Sequence, residues 1–236
     1  MATSTEYAKL ITHYVPGTIY GLRAVVTIPT ETQIGVGEHT NGNGFFDAYL
    51  SLDRKGGTYH YECGLSQEAG QATFFGLNKT PGGNRWHWMY AAGTEGSNGG
   101  SYNFTPGQQV PIELSINSSG GLDFIVNYTK IKTFTSNLTT SDGITNARLV
   151  LGACDEDFGS LSNLPNPLTS WGTLTTQISC GNYAYQSKQG GSWTLINPGT
   201  AYNRVYWPQG YTHQTNPQDW TVATSNGNLT ASLKKF

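Results

Sequence analysis

Charged residues are scarce in this chain: Asp, Glu, Lys and Arg make up 12% of its 236 residues, against about a quarter in an ordinary domain. The formal net charge is −2, and the 13 Lys and Arg are scattered rather than gathered on one segment. Such a distribution leaves no electrostatic footprint for nucleic acid or for an anionic membrane surface. There are three cysteines, Cys63, Cys154 and Cys180, too few and too widely spaced for a zinc site. At least one is unpaired, and Cys63 falls where a small buried hydrophobe is expected. No apolar run approaches the ~20 residues of a membrane span. The opening Met-Ala-Thr-Ser lacks the basic and apolar regions of a secretory leader, so either the protein is not exported by that route or a leader has been removed. No Walker loop, HExxH helix, Ser-His-Asp order or dinucleotide fingerprint is present, and no cofactor or metal is expected. Asp155-Glu156-Asp157 is the longest run of one sign and reads as a solvated loop.

What the chain does have is Gly, Thr, Ser, Asn and aromatics, including 30 Gly and 14 Tyr, a mixture that goes with many strands joined by tight turns. Period-two alternation recurs along it. Tyr20, Leu22, Ala24, Val26 and Ile28 share one strand face; Ala48, Leu50 and Leu52 alternate with Asp47, Tyr49, Ser51 and Asp53; Val110, Ile112, Leu114 and Ile116 alternate with Glu113, Ser115 and Asn117. Further strands are expected near Tyr59–Gly64, Gln71–Leu77, Arg85–Tyr90, Leu122–Tyr128, Asn146–Cys154, Trp171–Ile178, Ser192–Ile196, Arg204–Trp207, Trp220–Ala223 and Leu229–Leu233. Turn signals separate them, as at Asn41-Gly42-Asn43-Gly44, Lys55-Gly56-Gly57 and Pro81-Gly82-Gly83-Asn84. Ala91 to Gly100 reads as a mobile loop. The fold class is therefore all-β, a two-sheet antiparallel β-sandwich or jelly roll. Residues 1–17 read as an N-terminal arm or edge segment, and 18–236 as one sandwich domain.

Two strands carry the densest ionisable set. In Tyr59-His60-Tyr61-Glu62-Cys63-Gly64, His60 and Glu62 share a face; in Arg85-Trp86-His87-Trp88-Met89-Tyr90, so do Arg85 and His87. With Asp47, Tyr49 and Ser51, and with Arg148 interrupting the apolar strand 146–154, these groups are expected to line one groove. Trp86, Trp88 and Tyr90 fall on the opposite face, where large aromatics usually bury. Tyr202 to Tyr211, with Tyr206 and Trp207, offers a second aromatic contact surface suited to sugar rings. Glycoside hydrolysis would need two carboxyl groups about 5–10 Å apart, and the face assignment pairs Glu62 with Asp47, His87 assisting.

The order of short motifs resembles that of the glutamic peptidases, the eqolisin family. Ala48-Tyr49-Leu50-Ser51-Leu52-Asp53 is similar to the family's Ala-Trp-Val-Gly-Ile-Asp strand, and Tyr61-Glu62-Cys63-Gly64 to its Leu-Gln-Thr-Gly. Trp86-His87-Trp88-Met89-Tyr90 resembles its Trp-Tyr-Glu-Trp-Tyr; Phe104-Thr105-Pro106-Gly107 opens the next strand as its Gly-Asp turn does; Asn146-Ala147-Arg148 stands at its Asn-Ala-Glu. The resemblance implies a concanavalin A-like sandwich. It also implies that the family's water-activating Gln and Glu are replaced here by Glu62 and Arg148. An arginine stays protonated and cannot act as general base, so the peptidase mechanism does not carry over.

Three functional readings follow. One is an extracellular or surface binding module, lectin-like, taking a glycan or extended polymer through Tyr49, His60, Arg85, Arg148, Tyr206 and Trp207. Another is a hydrolase or lyase that uses Glu62 with His87 or Asp47 on a polysaccharide or peptide. The last is a structural surface or appendage protein that self-assembles.

Overall fold

A computed structural model describes residues 7–29, 34–35, 44–68, 86–100, 104–135, 138–155, 173–207 and 220–233. Every strand pair among them is antiparallel, and the strands form two sheets. The seven-stranded sheet contains β1 (Tyr7–Tyr14), β4 (Gly44–Arg54), β5 (Tyr59–Glu68), β6 (Trp86–Ala91), β7 (Ser97–Gly99), β11 (Ile144–Asp155) and β14 (Tyr202–Trp207), in the order β14-β1-β11-β4-β5-β6-β7. The nine-stranded sheet holds β2 (Gly21–Thr27), β3 (Ile34–Gly35), β8 (Gln109–Ile116), β9 (Leu122–Val126), β10 (Thr129–Phe134), β12 (Thr173–Gln186), β13 (Trp193–Leu195), β15 (Trp220–Ser225) and β16 (Asn228–Leu233). Its main path runs β10-β9-β8-β2-β12-β16-β15, with β13 and β3 on β12. Among the described residues, no helix is long and apolar enough to cross a membrane.

The alternation seen in the sequence sets the core. Leu50, Leu52, Tyr61, Cys63, Leu65, Trp86 and Leu149 from one sheet meet Leu22, Val26, Ile112, Leu114, Phe124 and Cys180 from the other, all at 1% exposure or less. Burying an aliphatic or aromatic side chain of this size contributes about 1.5–3 kcal/mol, so this layer dominates stability. Trp86 and Tyr90 are core, as their face requires; Trp88 is half-buried and stacks on Tyr90 with ring centroids 6.1 Å apart.

Several expectations are corrected. Tyr7–Tyr14, taken as an arm or edge segment, is an interior strand, paired in register with β11 on one side and β14 on the other. Local pattern does not reveal this, because both partners lie far away along the chain. The expected loop at 91–100 instead holds a 3-10 turn at Gly93–Glu95 and the short strand β7, which returns alongside β6. Tyr128 does not end its strand: Asn127 and Tyr128 both take positive φ and turn the chain into β10. The expected strand 71–77 and the Asp155-Glu156-Asp157 loop beyond Asp155 lie outside the described residues, as do Arg85 and Trp171.

Arg54, at the end of β4, is fully buried. Its guanidinium donates to the carbonyls of Asp142 (2.8 Å from Nε), Gly120 (2.7 Å) and Thr139 (2.9 Å). It thus ties the β8–β9 turn and the segment leading into β11 to the strand that carries the site.

Candidate functional site

The outward face of the seven-stranded sheet is assembled by register. Ser51 of β4 stands opposite Glu62 of β5 on one side and Arg148 of β11 on the other, and directly opposed residues of an antiparallel pair share a face. Tyr14 of β1 is opposite Arg148, and His60 is opposite Asp53. The hairpin sets this last pairing: a four-residue loop, Lys55 to Thr58, joins Arg54 to its partner Tyr59.

These groups form a connected chain. Asn146 Nδ2 donates to Asp53 Oδ2 at 2.7 Å, and His60 bridges Asp53 Oδ1 (Nδ1, 2.6 Å) to Glu62 Oε1 (Nε2, 3.3 Å). Glu62 Oε1 also faces Arg148 Nη2 at 3.8 Å. Arg148 Nε donates to Ser51 Oγ at 3.0 Å and Nη1 to the Tyr14 hydroxyl at 2.8 Å, with the guanidinium 5.5 Å from the Tyr14 ring centre. Asn146 reaches Asp53 because the β11–β4 register slips between Thr145 and Arg148 and Asn146 itself takes φ 48°. Such a bulge re-aims a side chain next to a site, and asparagine tolerates the left-handed region better than most residues.

The electrostatics follow from these contacts. The hydrogen bond to Glu62 raises the His60 pKa above its ordinary value; partial burial opposes it, and Asp53 adds to it. For Asp53, burial works upward, but the hydrogen bonds from Asn146 and His60 and the charges of His60 and Arg148 outweigh it, so the carboxyl titrates below its usual range. His60 is 47% exposed, against 32% for Glu62, 26% for Arg148 and 16% for Asp53, so this end of the face is open.

The other end is closed. Tyr49, Met89 and Val150 form a small apolar cluster of their own, with Leu10 packed against it. Asp47, Ser66 and His87 lie in one cross-strand row and are buried. Tyr49, expected as a ligand contact, is therefore a packing residue, 8% exposed. It lies over Gly64, where a Cβ would fall 2.4 Å from the Ala48 carbonyl oxygen and 2.4 Å from Tyr49 Cα. Asp47 and His87 share the face with Glu62 but not its opening. Asp47 stands four positions before Ser51, about 13 Å of strand at ~3.3 Å per residue, which takes Asp47 out of reach as Glu62's partner. The carboxylate that stands near Glu62 is Asp53, with the His60 ring filling the gap where a glycosidic oxygen or attacking water would have to stand. Tyr206 and Trp207 lie in β14, registered against Lys9 and Ala8; their side chains, like Arg85, are outside the described residues. Among the described residues no cluster of three or more His, Cys, Asp or Glu is arranged to hold a metal ion.

Of the expected set, then, the structure brings together His60, Glu62 and Arg148. It adds Tyr14, Asp53 and Asn146, which sequence reasoning passed over. Asp53 was within reach, since it alternates with Asp47 and Ser51 and the hairpin loop length places it opposite His60. Tyr14 and Asn146 carried no local signal.

Neither a protein-family model nor any curated protein matches the sequence. Solved structures do. Scytalido-glutamic peptidase with a peptide-based transition-state analogue aligns over 97% of this chain and 98% of its own, with TM-score 0.57 and 10% identity. SCP-B, a member of the eqolisin family of peptidases in complex with the tripeptide Ala-Ile-His, aligns over 99% and 100%, with TM-score 0.52 and 9% identity. At such identities the likeness is one of fold: the chain is a two-sheet antiparallel sandwich, concanavalin A-like, similar in fold to the glutamic peptidases.

Proposed function

We propose that the open end of this sheet face binds an extended polymer, a glycan before a peptide, in an extracellular or surface setting and without cleaving it. The observation that carries the reading is Arg148. A permanently charged fork stands beside Glu62, where hydrolysis would need a second group able to exchange a proton, and Ser51 and Tyr14 hold it still. A fixed guanidinium with Tyr14 beside it, 41% exposed, suits a ligand that offers acceptor oxygens and a ring face. Retention on immobilised polysaccharides tests the proposal. Arg148→Ala is expected to lose retention while keeping the wild-type unfolding midpoint, with no product released by either form. Retention that survives Arg148→Ala overturns it.

A second reading is hydrolytic or lytic. The fold likeness to peptidases supports it at the level of fold, and locally it is favoured by His60 standing between two carboxylates, an arrangement able to move a proton. Release of reducing ends, unsaturated ends or new amino termini that disappears in both His60→Gln and Glu62→Gln would establish it over the first.

A further inference from the structure

We propose that His60 is a proton switch on this site, deciding whether Arg148 is offered to a carboxylate-bearing ligand or is taken up by Glu62. The proposal rests on the binding reading above and assigns its regulation and ligand class.

The geometry makes the two states unequal. A protonated imidazole donates from both nitrogens, so it satisfies Asp53 and Glu62 together. A neutral one keeps a single N–H. The Asp53 contact is the shorter, 2.6 against 3.3 Å, and Asp53 is held from its far side by Asn146, so that hydrogen stays on Nδ1. Nε2 then turns a lone pair toward Glu62 Oε1, an acceptor facing an acceptor. Among the described residues the nearest other cation to Glu62 is Arg148 Nη2, at 3.8 Å, beyond hydrogen-bond length. Arg148 cannot come to meet it, because Ser51 and Tyr14 fix the guanidinium. The partly exposed Glu62 side chain moves instead and caps the fork with two charge-assisted bonds.

Among the described residues, nothing in the surroundings reverses this. The imidazole contacts Asp53 of β4 and Glu62 of its own strand; beyond these two carboxylates stand Asn146 and Arg148 of β11, and beyond Arg148 the neutral Ser51 and Tyr14. Ala91, opposite Glu62 on β6, carries no charge, and Glu95 of the 3-10 turn accepts from the Tyr61 hydroxyl at 3.4 Å. With His60 protonated, Asp53, Glu62, His60 and Arg148 sum to zero and one guanidinium edge is open. With His60 neutral the set carries one negative charge and the edge is covered. A ligand carboxylate, which competes with Glu62 for the same fork, is therefore accepted at low pH and refused as pH rises past the elevated His60 value.

The test uses two readouts on the full chain. By NMR, the His60 ring and the Arg148 Nε–H are followed through the titration; a single shared midpoint is expected, and His60→Gln abolishes the Arg148 step. Retention on polygalacturonate is measured beside its fully methyl-esterified form. A drop of about tenfold or more between about pH 5 and about pH 8 is expected for the free acid, the size of one lost charge-assisted contact. The ester and His60→Gln should show no such drop. An Arg148 signal indifferent to the His60 titration overturns the switch, as does retention with the same pH profile in His60→Gln. Shared titration with no retention at any pH supports the switch and overturns only the binding reading.

Discussion

Replacing Arg54 by Met would remove a buried cation while leaving the carbonyls of Gly120, Thr139 and Asp142 where they are. A polar group deprived of its partner in the interior costs about 1–3 kcal/mol, so three such groups set an upper bound of about 9 kcal/mol. Two effects reduce it: the guanidinium no longer has to be desolvated, and water can approach the contacts to Thr139 and Asp142, which are only partly buried. The Gly120 contact is fully buried, and that turn cannot shift freely, since a Cβ at Gly120 would already lie 2.6 Å from the Thr139 backbone. The expected loss is about 3–5 kcal/mol, the usual result of removing one partner from a buried charged set. In a chain of this size that lowers the unfolding midpoint by roughly 10 °C. Arg54→Lys retains the charge but sends all its donors from one atom, which cannot span three carbonyls, so about half the loss should remain. Urea unfolding followed by tryptophan fluorescence reads both variants, with the slope checked for constancy. An Arg54→Met protein within about 1 kcal/mol of the wild type would show that the carbonyls find other donors, and the staple would not be one.

Gly64→Ala places a methyl group against the Ala48 carbonyl and Tyr49 Cα and should cost about 1–3 kcal/mol by overpacking; an unchanged thermal midpoint would mean that the strand pair yields. His13, 4% exposed and 3.1 Å from the Tyr183 hydroxyl, has its pKa lowered by burial. Unfolded, it takes up a proton near pH 6.5, and folded only at lower pH. Its contribution is thus complete above about pH 6.5 and fades as pH falls through the folded value; His13→Gln should flatten that limb of the stability profile, and an unaltered limb assigns the loss elsewhere. His60, its pKa raised, acts in the opposite sense, its contribution complete below about pH 6.5 and lost as pH rises through the folded value. Burial pushes the Cys180 thiol up to about 12 and the Cys63 thiol well above its ordinary value. Neither should take up iodoacetamide until the protein unfolds, as peptide mass mapping can establish; labelling in native buffer at the rate of a free thiol would contradict that burial.

Alternation by itself determined most of the architecture. Leu22 with Val26, Leu50 with Leu52 and Ile112 with Leu114 had to face a core, because a β-strand sends alternate side chains to opposite sides and these positions are apolar. Turn residues then divided the chain into antiparallel strands, and the same period placed Ser51, Asp53, His60, Glu62 and Arg148 on the outward side. Which of them meet was a matter of register and long-range pairing, and these are tertiary. Asp53 rather than Asp47 partners His60 because of where the hairpin closes. Asn146 reaches Asp53 through a bulge that no local motif announces, and Tyr14 arrives because β1 inserts between β11 and β14. Burial was equally invisible: one face carries both an open polar end and a closed end where Tyr49, Met89 and Val150 pack together. A strand's own residues determine which side each points to, and only the rest of the fold decides what covers that side.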